Sequence, residues 1–250
     1  MTGAGNGIGR QIAVALASAG SKVCCVDLDE AALEEVTALV EHHGSQALAV
    51  VADVGSEEDL ERVYNATCCS MGPVQILVNN AGLQYINPVE KFPIAEWDRL
   101  TSTMLRGPFL YIRRFLPAMM ARKWGRIINM ASIHAVVASP FKSAYVSAKH
   151  GLLGLTRTVA LEVATQGITV NAISPSYTKT RMVEEQIEKQ AQIHGLSRSQ
   201  VLGEIMLTPM PQKELVELEE LAQTVLFLCS EYARHINGNN LMVDGGWTAA

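Results

Sequence analysis

No apolar run in the sequence approaches the roughly 20 residues that a bilayer-spanning helix requires. Nothing at its start reads as a secretory leader. Positive charge is in the minority, with 20 Lys and Arg against 25 Asp and Glu, a formal net charge of −5. That balance argues against a nucleic-acid binder, which carries a basic footprint. The five cysteines fall as Cys24–Cys25, Cys68–Cys69 and Cys229, with no Cys-x-x-Cys spacing of a zinc or redox site. Free cysteine is usually buried, so all five read as structural, and Cys24 and Cys25 as small core residues on opposite faces of a strand. No metal is expected, and the cytoplasm is the expected compartment. Repeats, low-complexity tracts and linkers are missing as well, so 250 residues read as one domain, 1–250.

What is present alternates. Apolar strand-like runs at Lys22–Val26, Ala47–Val51, Gln75–Val78, Arg126–Met130, Thr169–Ile173 and Asn240–Val243 are separated by helical segments. The helices are expected at Ile8–Ala19, Glu30–His42, Glu57–Ser70, Pro93–Met104, Pro108–Arg122, Tyr145–Thr165 and Glu217–Ser230. This rhythm, at 48% hydrophobic and 18% charged residues, predicts an α/β fold with a doubly wound, Rossmann-like parallel sheet covered on both faces. The stretch Thr178–Leu215 interrupts it and reads as a helical insertion over a ligand site.

The segment Thr2-Gly3-Ala4-Gly5-Asn6-Gly7-Ile8-Gly9 reads as a glycine-rich turn into a helix. Gly3 permits the tight turn, Gly7 lets the backbone approach a pyrophosphate, and Gly9 allows the helix to pack on the sheet. Amides at the helix start then face the anion. Such a turn ordinarily follows a central strand, yet only Met1 precedes it. Burying about five apolar residues is worth on the order of 5–10 kcal/mol, comparable to a domain's whole stability of roughly 5–15 kcal/mol. An apolar strand encoded upstream of Met1 is therefore expected. The next strand ends at Asp27, whose carboxylate suits an adenosine ribose and repels a 2′-phosphate, favouring NAD over NADP. Asp53 and Val54 end the third strand, where adenine would lie. Asn79-Asn80-Ala81-Gly82 ends the fourth as a turn near the cofactor.

Tyr145 and Lys149 are one helical turn apart and so share a face. A cation that close favours phenolate, bringing a group of pKa about 10 towards use as a base. Ser132 lies upstream as a hydroxyl able to hold a substrate oxygen. Lys142 and His134 flank this pair of motifs and can reach a substrate's far end, and lysine pairs with carboxylates as a point charge.

The glycine turn, Asn79-Asn80-Ala81-Gly82, Ser132, Tyr145-Val146-Ser147-Ala148-Lys149 and Val243-Asp244-Gly245-Gly246 together resemble the short-chain dehydrogenase/reductase family, in order and over essentially the whole chain. The resemblance implies a nicotinamide cofactor bound by Gly3, Asn6, Gly7, Ile8, Gly9, Asp27, Asp53, Val54, Asn80, Ala81, Gly82, Tyr145, Lys149 and Pro175. It implies Tyr145 as acid/base, Lys149 lowering its pKa, Ser132 orienting the substrate, and a homotetramer. A closer resemblance is to the D-3-hydroxybutyrate dehydrogenases of that family, carried by Leu77–Gln84, Trp124–Asn129 and Ala144–Gly151. It places a small hydroxy or keto acid against Gln84, His134, Lys142 and Gln186. Two departures stand out. Met104 falls where the family usually has an asparagine supporting a proton relay. Pro175-Ser176-Tyr177 replaces the common Pro-Gly and, in the hydroxybutyrate enzymes, a tryptophan, with Tyr177 expected to close over substrate. These departures keep two other readings open: another small alcohol or ketone as substrate, or a weakly active or inactive nucleotide-binding member.

Overall fold

The structure, a computed structural model, describes residues 1–249, with Met182 and Lys189 described by their backbone alone. The first half alternates α1 (Gly7–Ser18), β1 (Val23–Asp27), α2 (Glu30–His42), β2 (Ala47–Val51), α3 (Glu57–Met71) and β3 (Ile76–Asn79). The second runs α4 (Ile94–Thr101), α5 (Gly107–Arg122), β4 (Gly125–Met130), α6 (Ser143–Glu162), β5 (Ile168–Pro175), α7 (Arg181–His194), α8 (Arg198–Gln200), α9 (Leu218–Cys229) and β6 (Asn240–Val243). Local chemistry sets several of these bounds. Asp29 accepts from Ala32 N at 3.1 Å to start α2, and Ser56 caps α3 ahead of Glu57, Glu58 and Asp59, whose charges suit a helix N-terminus.

All strand pairs are parallel: β1 with β2, and β3, β4, β5 and β6 in that order. Met1 and Thr2 join the two sets. The Met1 amine donates to Cys24 O at 2.9 Å, Val26 N donates to Met1 O at 2.9 Å, and Thr2 N donates to Val78 O at 3.1 Å. Every residue of β4 and β5 is buried, as expected of central strands covered on both sides. One face carries α1, α2 and α9 through Ile12, Leu33, Val36, Leu221 and Val225. The other carries α3, α5 and α6 through Leu60, Val63, Leu110, Phe115 and Val159. This is the single-domain, doubly wound α/β fold that the alternation predicts. Among the described residues no helix is long and apolar enough to cross a membrane.

Three local expectations are corrected. The helices expected at Pro93–Met104 and Pro108–Arg122 are one continuous run, joined by a π-helical turn at Ser102–Arg106. Proline inside a regular helix clashes with the preceding turn and lacks a donor, and a widened turn just before it accommodates Pro108. Helix α6 begins at Ser143 rather than Tyr145, which places the tyrosine within its first turn. Cys69 is exposed, whereas Cys25 is fully buried. All five cysteines are free.

The tightest approach in the fold lies inside the glycine turn. A Cβ on Gly9 would sit 1.8 Å from Gly3 O and 2.8 Å from Asn80 Nδ2. Gly154, on α6, has nothing within 4 Å of that position. Gly9→Ala is expected to destabilise the fold by about 1–3 kcal/mol, and Gly154→Ala to stabilise it by about 0.5–1 kcal/mol. Thermal melts of the two variants check both signs, and a neutral Gly9→Ala would contradict the close packing.

Candidate active site

A cavity of about 560 Å³ opens beyond the C-terminal ends of the strands, the place where open α/β sheets take ligands. Gly3, Asn6, Gly7 and Ile8 form its floor, and Asp27, Asp53 and Val54 one end. Asn80, Ala81 and Gly82 line its middle. Ser132, Tyr145, Lys149 and Pro175 meet at the other end with Gln84, His134, Lys142, Tyr177 and Gln186. Every site residue expected from the sequence lines this cavity except Gly9. Its part is to let α1 pass against Gly3 and Asn80, as the contacts above show.

The floor suits a dinucleotide. Asn6 gives α1 no side-chain cap, so the first amides of the helix stay available to an anion. Gly7 holds φ at +51°, and a Cβ there would meet only the Thr180 methyl, at 3.4 Å. Asp27 is fixed by backbone amides: Oδ2 accepts from Gly5 at 2.9 Å, and Oδ1 from Leu28 at 2.8 Å and Asp29 at 3.2 Å. Asp53 Oδ1 accepts from Gly55 N at 2.8 Å. The carboxylate at the end of β1 is thus oriented before any ribose arrives.

At the other end, Ser132 Oγ accepts from His134 N at 3.2 Å and starts a short 3₁₀ turn. The His134 and Tyr145 rings meet edge to face, with centroids 6.1 Å apart. Lys149 Nζ donates to Met130 O at 2.6 Å and lies 5.7 Å from the Tyr145 ring centroid. Desolvation pushes Lys149 down from 10.5 to about 8. The same effect raises the Tyr145 phenol above its ordinary value, and the neighbouring Ser132 hydroxyl works in the opposite direction. The Lys149 ammonium is held by a β4 carbonyl.

The residues expected to meet a substrate's acid group gather at this end of the cavity. Lys142 is 9% exposed, and its ammonium has no ion pair among the described residues. Burial pushes its pKa below the usual lysine value. Gln84 Oε1 and His134 Nδ1 are buried without hydrogen-bond partners. Phe141, just before Lys142, holds a left-handed φ of +66°, and its carbonyl accepts from Asn87 N at 2.9 Å. Gln186 reaches the cavity from α7.

Met104 lies in the π turn, 1% exposed, in a cluster with Leu100, Ala144 and Ala148 against which Tyr145 packs. Its sulfur comes within 3.7 Å of where a Cβ on Gly82 would stand. Thr103, Thr178 and Thr180 also line the cavity and escaped the sequence reading, while Ser176, noted there only as a departure from Pro-Gly, lines it too. Thr180 had a legible signal, a helix-capping threonine whose hydroxyl accepts from Val183 N at 3.3 Å.

Desolvation, and next the nearby Lys142, push His134 down from 6.5 to about 4. The unfolded chain therefore binds this proton more readily than the folded one. Stability linked to neutral His134 is whole above pH 6.5 and is lost as pH falls towards 4, on the order of 3 kcal/mol. Lys149 acts at the alkaline side: its burial penalty stands below pH 8 and is relieved as pH rises towards 10.5. Urea unfolding of His134→Gln should show a flatter limb between pH 6.5 and 4 than the parent, and identical limbs would contradict it.

Residues 3–248 match the family model described as enoyl-(acyl carrier protein) reductase. The chain is 42% identical over 258 residues to a D-beta-hydroxybutyrate dehydrogenase of Rhizobium meliloti (strain 1021), covering 100% of this chain and 97% of the relative. It is 40% identical over 256 residues to a D-beta-hydroxybutyrate dehydrogenase of Cupriavidus necator (strain ATCC 17699), covering 100% and 96%. The crystal structure of a levodione reductase superposes with a TM-score of 0.92 at 36% identity, covering 100% of this chain and 96% of that one. With this cavity on this fold, and relatives along its whole length, the chain belongs to the short-chain dehydrogenase/reductase family of oxidoreductases.

Proposed function

We propose that this oxidoreductase is an NAD-dependent dehydrogenase interconverting a short 3-hydroxy acid and its 3-keto acid, D-3-hydroxybutyrate and acetoacetate above all. The observation that carries the substrate class is Lys142, a buried ammonium facing the cavity with no carboxylate of its own. A substrate carboxylate would complete it, with Gln84 and His134 beside it in the cavity lining. Gln186 adds an amide from the insertion, and Tyr177 an apolar wall. Relatives named as D-beta-hydroxybutyrate dehydrogenases support the same reading.

The cofactor would lie with its pyrophosphate on Gly7 and Ile8 and its adenosine ribose on Asp27, whose charge disfavours a 2′-phosphate. Bound there, nicotinamide supplies the hydride acceptor or donor. The chain's own groups manage position and proton. Ser132 Oγ holds the substrate oxygen, and Tyr145 Oη takes the hydroxyl proton in oxidation and returns it in reduction. Lys149 brings positive charge beside the phenol once a ligand's polar groups replace the dry cavity. Met104, a thioether that cannot donate, slows proton exchange with water without abolishing the reaction. The proposed setting is cytoplasmic, as a homotetramer, without membrane or nucleic-acid partners.

A second reading keeps the chemistry and changes the substrate to another small ketone. Tyr177 at the cavity wall and the close likeness to a levodione reductase favour it. NADH formation from D-3-hydroxybutyrate, followed by absorbance, tests the first reading. Tyr145→Phe should lose about 10²–10⁴-fold in turnover, and a parent rate no higher than this variant's would overturn the proposal. Lys142→Ala should lose about 10–100-fold in kcat/KM for the acid with NADH affinity unchanged. An unchanged kcat/KM would favour the second reading.

A further inference from the structure

Phe141 and Lys142 are exposed in the reverse of the order their chemistry favours. The lysine is 9% exposed and lines the cavity, while the phenylalanine before it is 56% exposed and lies outside the lining. Solvation prefers the opposite, since lysine is almost never buried without a partner and an aromatic ring gains by leaving water. The backbone imposes the inversion. Phe141 holds φ at +66°, a left-handed conformation that crowds Cβ against the carbonyl and is rare for a bulky residue. Pro140 and Phe141 form a turn, and behind a proline the usual occupant of a left-handed position is glycine or asparagine.

Among the described residues, Lys123 and Lys213 are the other non-glycine positions with this conformation. Lys123 ends α5, where it is an ordinary cap. Lys213 donates its ammonium to the Leu207 and Thr208 carbonyls at 3.1 and 2.6 Å. Phe141 has no such local reason, and what holds it comes from another loop: Asn87 N donates to Phe141 O at 2.9 Å. That loop is braced in turn. Asn87 Nδ2 donates to Lys91 O at 2.9 Å, and the Tyr85 and Phe92 rings meet edge to face with centroids 5.4 Å apart. On the far side, Val146 N donates to Lys142 O at 2.9 Å and opens α6. The turn is clamped at both ends, as a strained conformation must be to persist. Gln84, on the same loop as Asn87, also lines the cavity, so one hydrogen bond ties together the two loops that carry Gln84 and Lys142.

We infer that Phe141 is a positioning residue: its left-handed turn, pinned by Asn87, directs the Lys142 ammonium into the cavity and thereby sets the affinity for a substrate's acid group. The inference rests on the acid-binding reading proposed above, and Lys142→Ala separates the two. Steady-state kinetics with D-3-hydroxybutyrate at saturating NAD provide the test. Phe141→Val, whose branched side chain is intolerant of positive φ, should raise KM about 3–10-fold with kcat little changed. Phe141→Pro, which locks φ at about −65°, should raise it further. Phe141→Asn, which tolerates the left-handed conformation, should keep KM within about 2-fold of the parent. In a Lys142→Ala background Phe141→Val should add no further loss, because the group it displaces is already gone. NADH affinity, measured by calorimetry, should be the same in all three Phe141 variants. An unchanged KM in Phe141→Val and Phe141→Pro, a loss in Phe141→Asn as large as in Phe141→Val, a full additional loss on top of Lys142→Ala, or weakened NADH binding would each overturn the role. If Lys142→Ala itself leaves kcat/KM for the acid unchanged, the acid-binding reading falls, and this inference with it.

Discussion

The clasp between Asn80 and the glycine turn is the interaction on which the site depends. Asn80 Nδ2 donates to Gly3 O at 2.9 Å and Thr2 O at 3.2 Å. Thr2 Oγ1 accepts in return from Asn80 N at 3.0 Å and Ala81 N at 3.2 Å. These bonds tie the start of α1 to the end of β3, across the place where the winding of the sheet reverses. They also explain why a side chain is excluded at Gly9, since the carbonyl that Asn80 holds is the one a Cβ would strike. A second buried amide chain extends the fixation. Asn79 donates to Asn129 at 2.8 Å, and Asn129 to Thr156 at 2.9 Å, linking β3 and β4 to α6. Tyr145 and Lys149 stand on that same helix. The glycine turn and the Tyr145–Lys149 pair are thereby held in one frame, as pre-organised chemistry requires.

Electrostatics inside the cavity run against the charge of the whole molecule. The chain is acidic overall, at −5, yet its reactive end gathers two buried ammonium groups, both desolvated and both below the usual lysine value. Such groups are costly unless paired. Lys149 offsets part of that cost with a backbone carbonyl, while Lys142 has only the cavity. A site that burdens its own fold in this way favours an anionic guest, because pairing returns the desolvation cost on binding. His134 stays neutral for the same reason, which preserves it as a hydrogen-bonding group rather than a third charge.

Much of this was legible in the sequence, for reasons that can be named. The bounds of α2, β2 and β6 follow from apolar periodicity and capping residues that act locally. The residues expected at the site meet in one cavity, and they were picked out because glycines at a strand-to-helix turn and a tyrosine and lysine four apart are local patterns. The failures are tertiary. Pro108 signals a new helix by local rules, yet a π turn lets the helix continue through it. Helical spacing puts Tyr145 and Lys149 on one face but says nothing of the Met130 carbonyl that captures the ammonium.

Met104 joins the two kinds of information. Its thioether is buried in an apolar cluster with Leu100, Ala144 and Ala148, against which Tyr145 packs. This dryness contributes to the raised phenol and leaves the Ser132 hydroxyl as the group that favours the phenolate. Lys149, pushed down to about 8 by the same burial, stands one helical turn away, 5.7 Å from the ring centroid. A polar residue at 104 would hydrate this region and relieve the phenol, at the expense of packing against Leu100 and Ala148. The chain has resolved that conflict towards packing, and the phenol stands on a dry, close-packed bed.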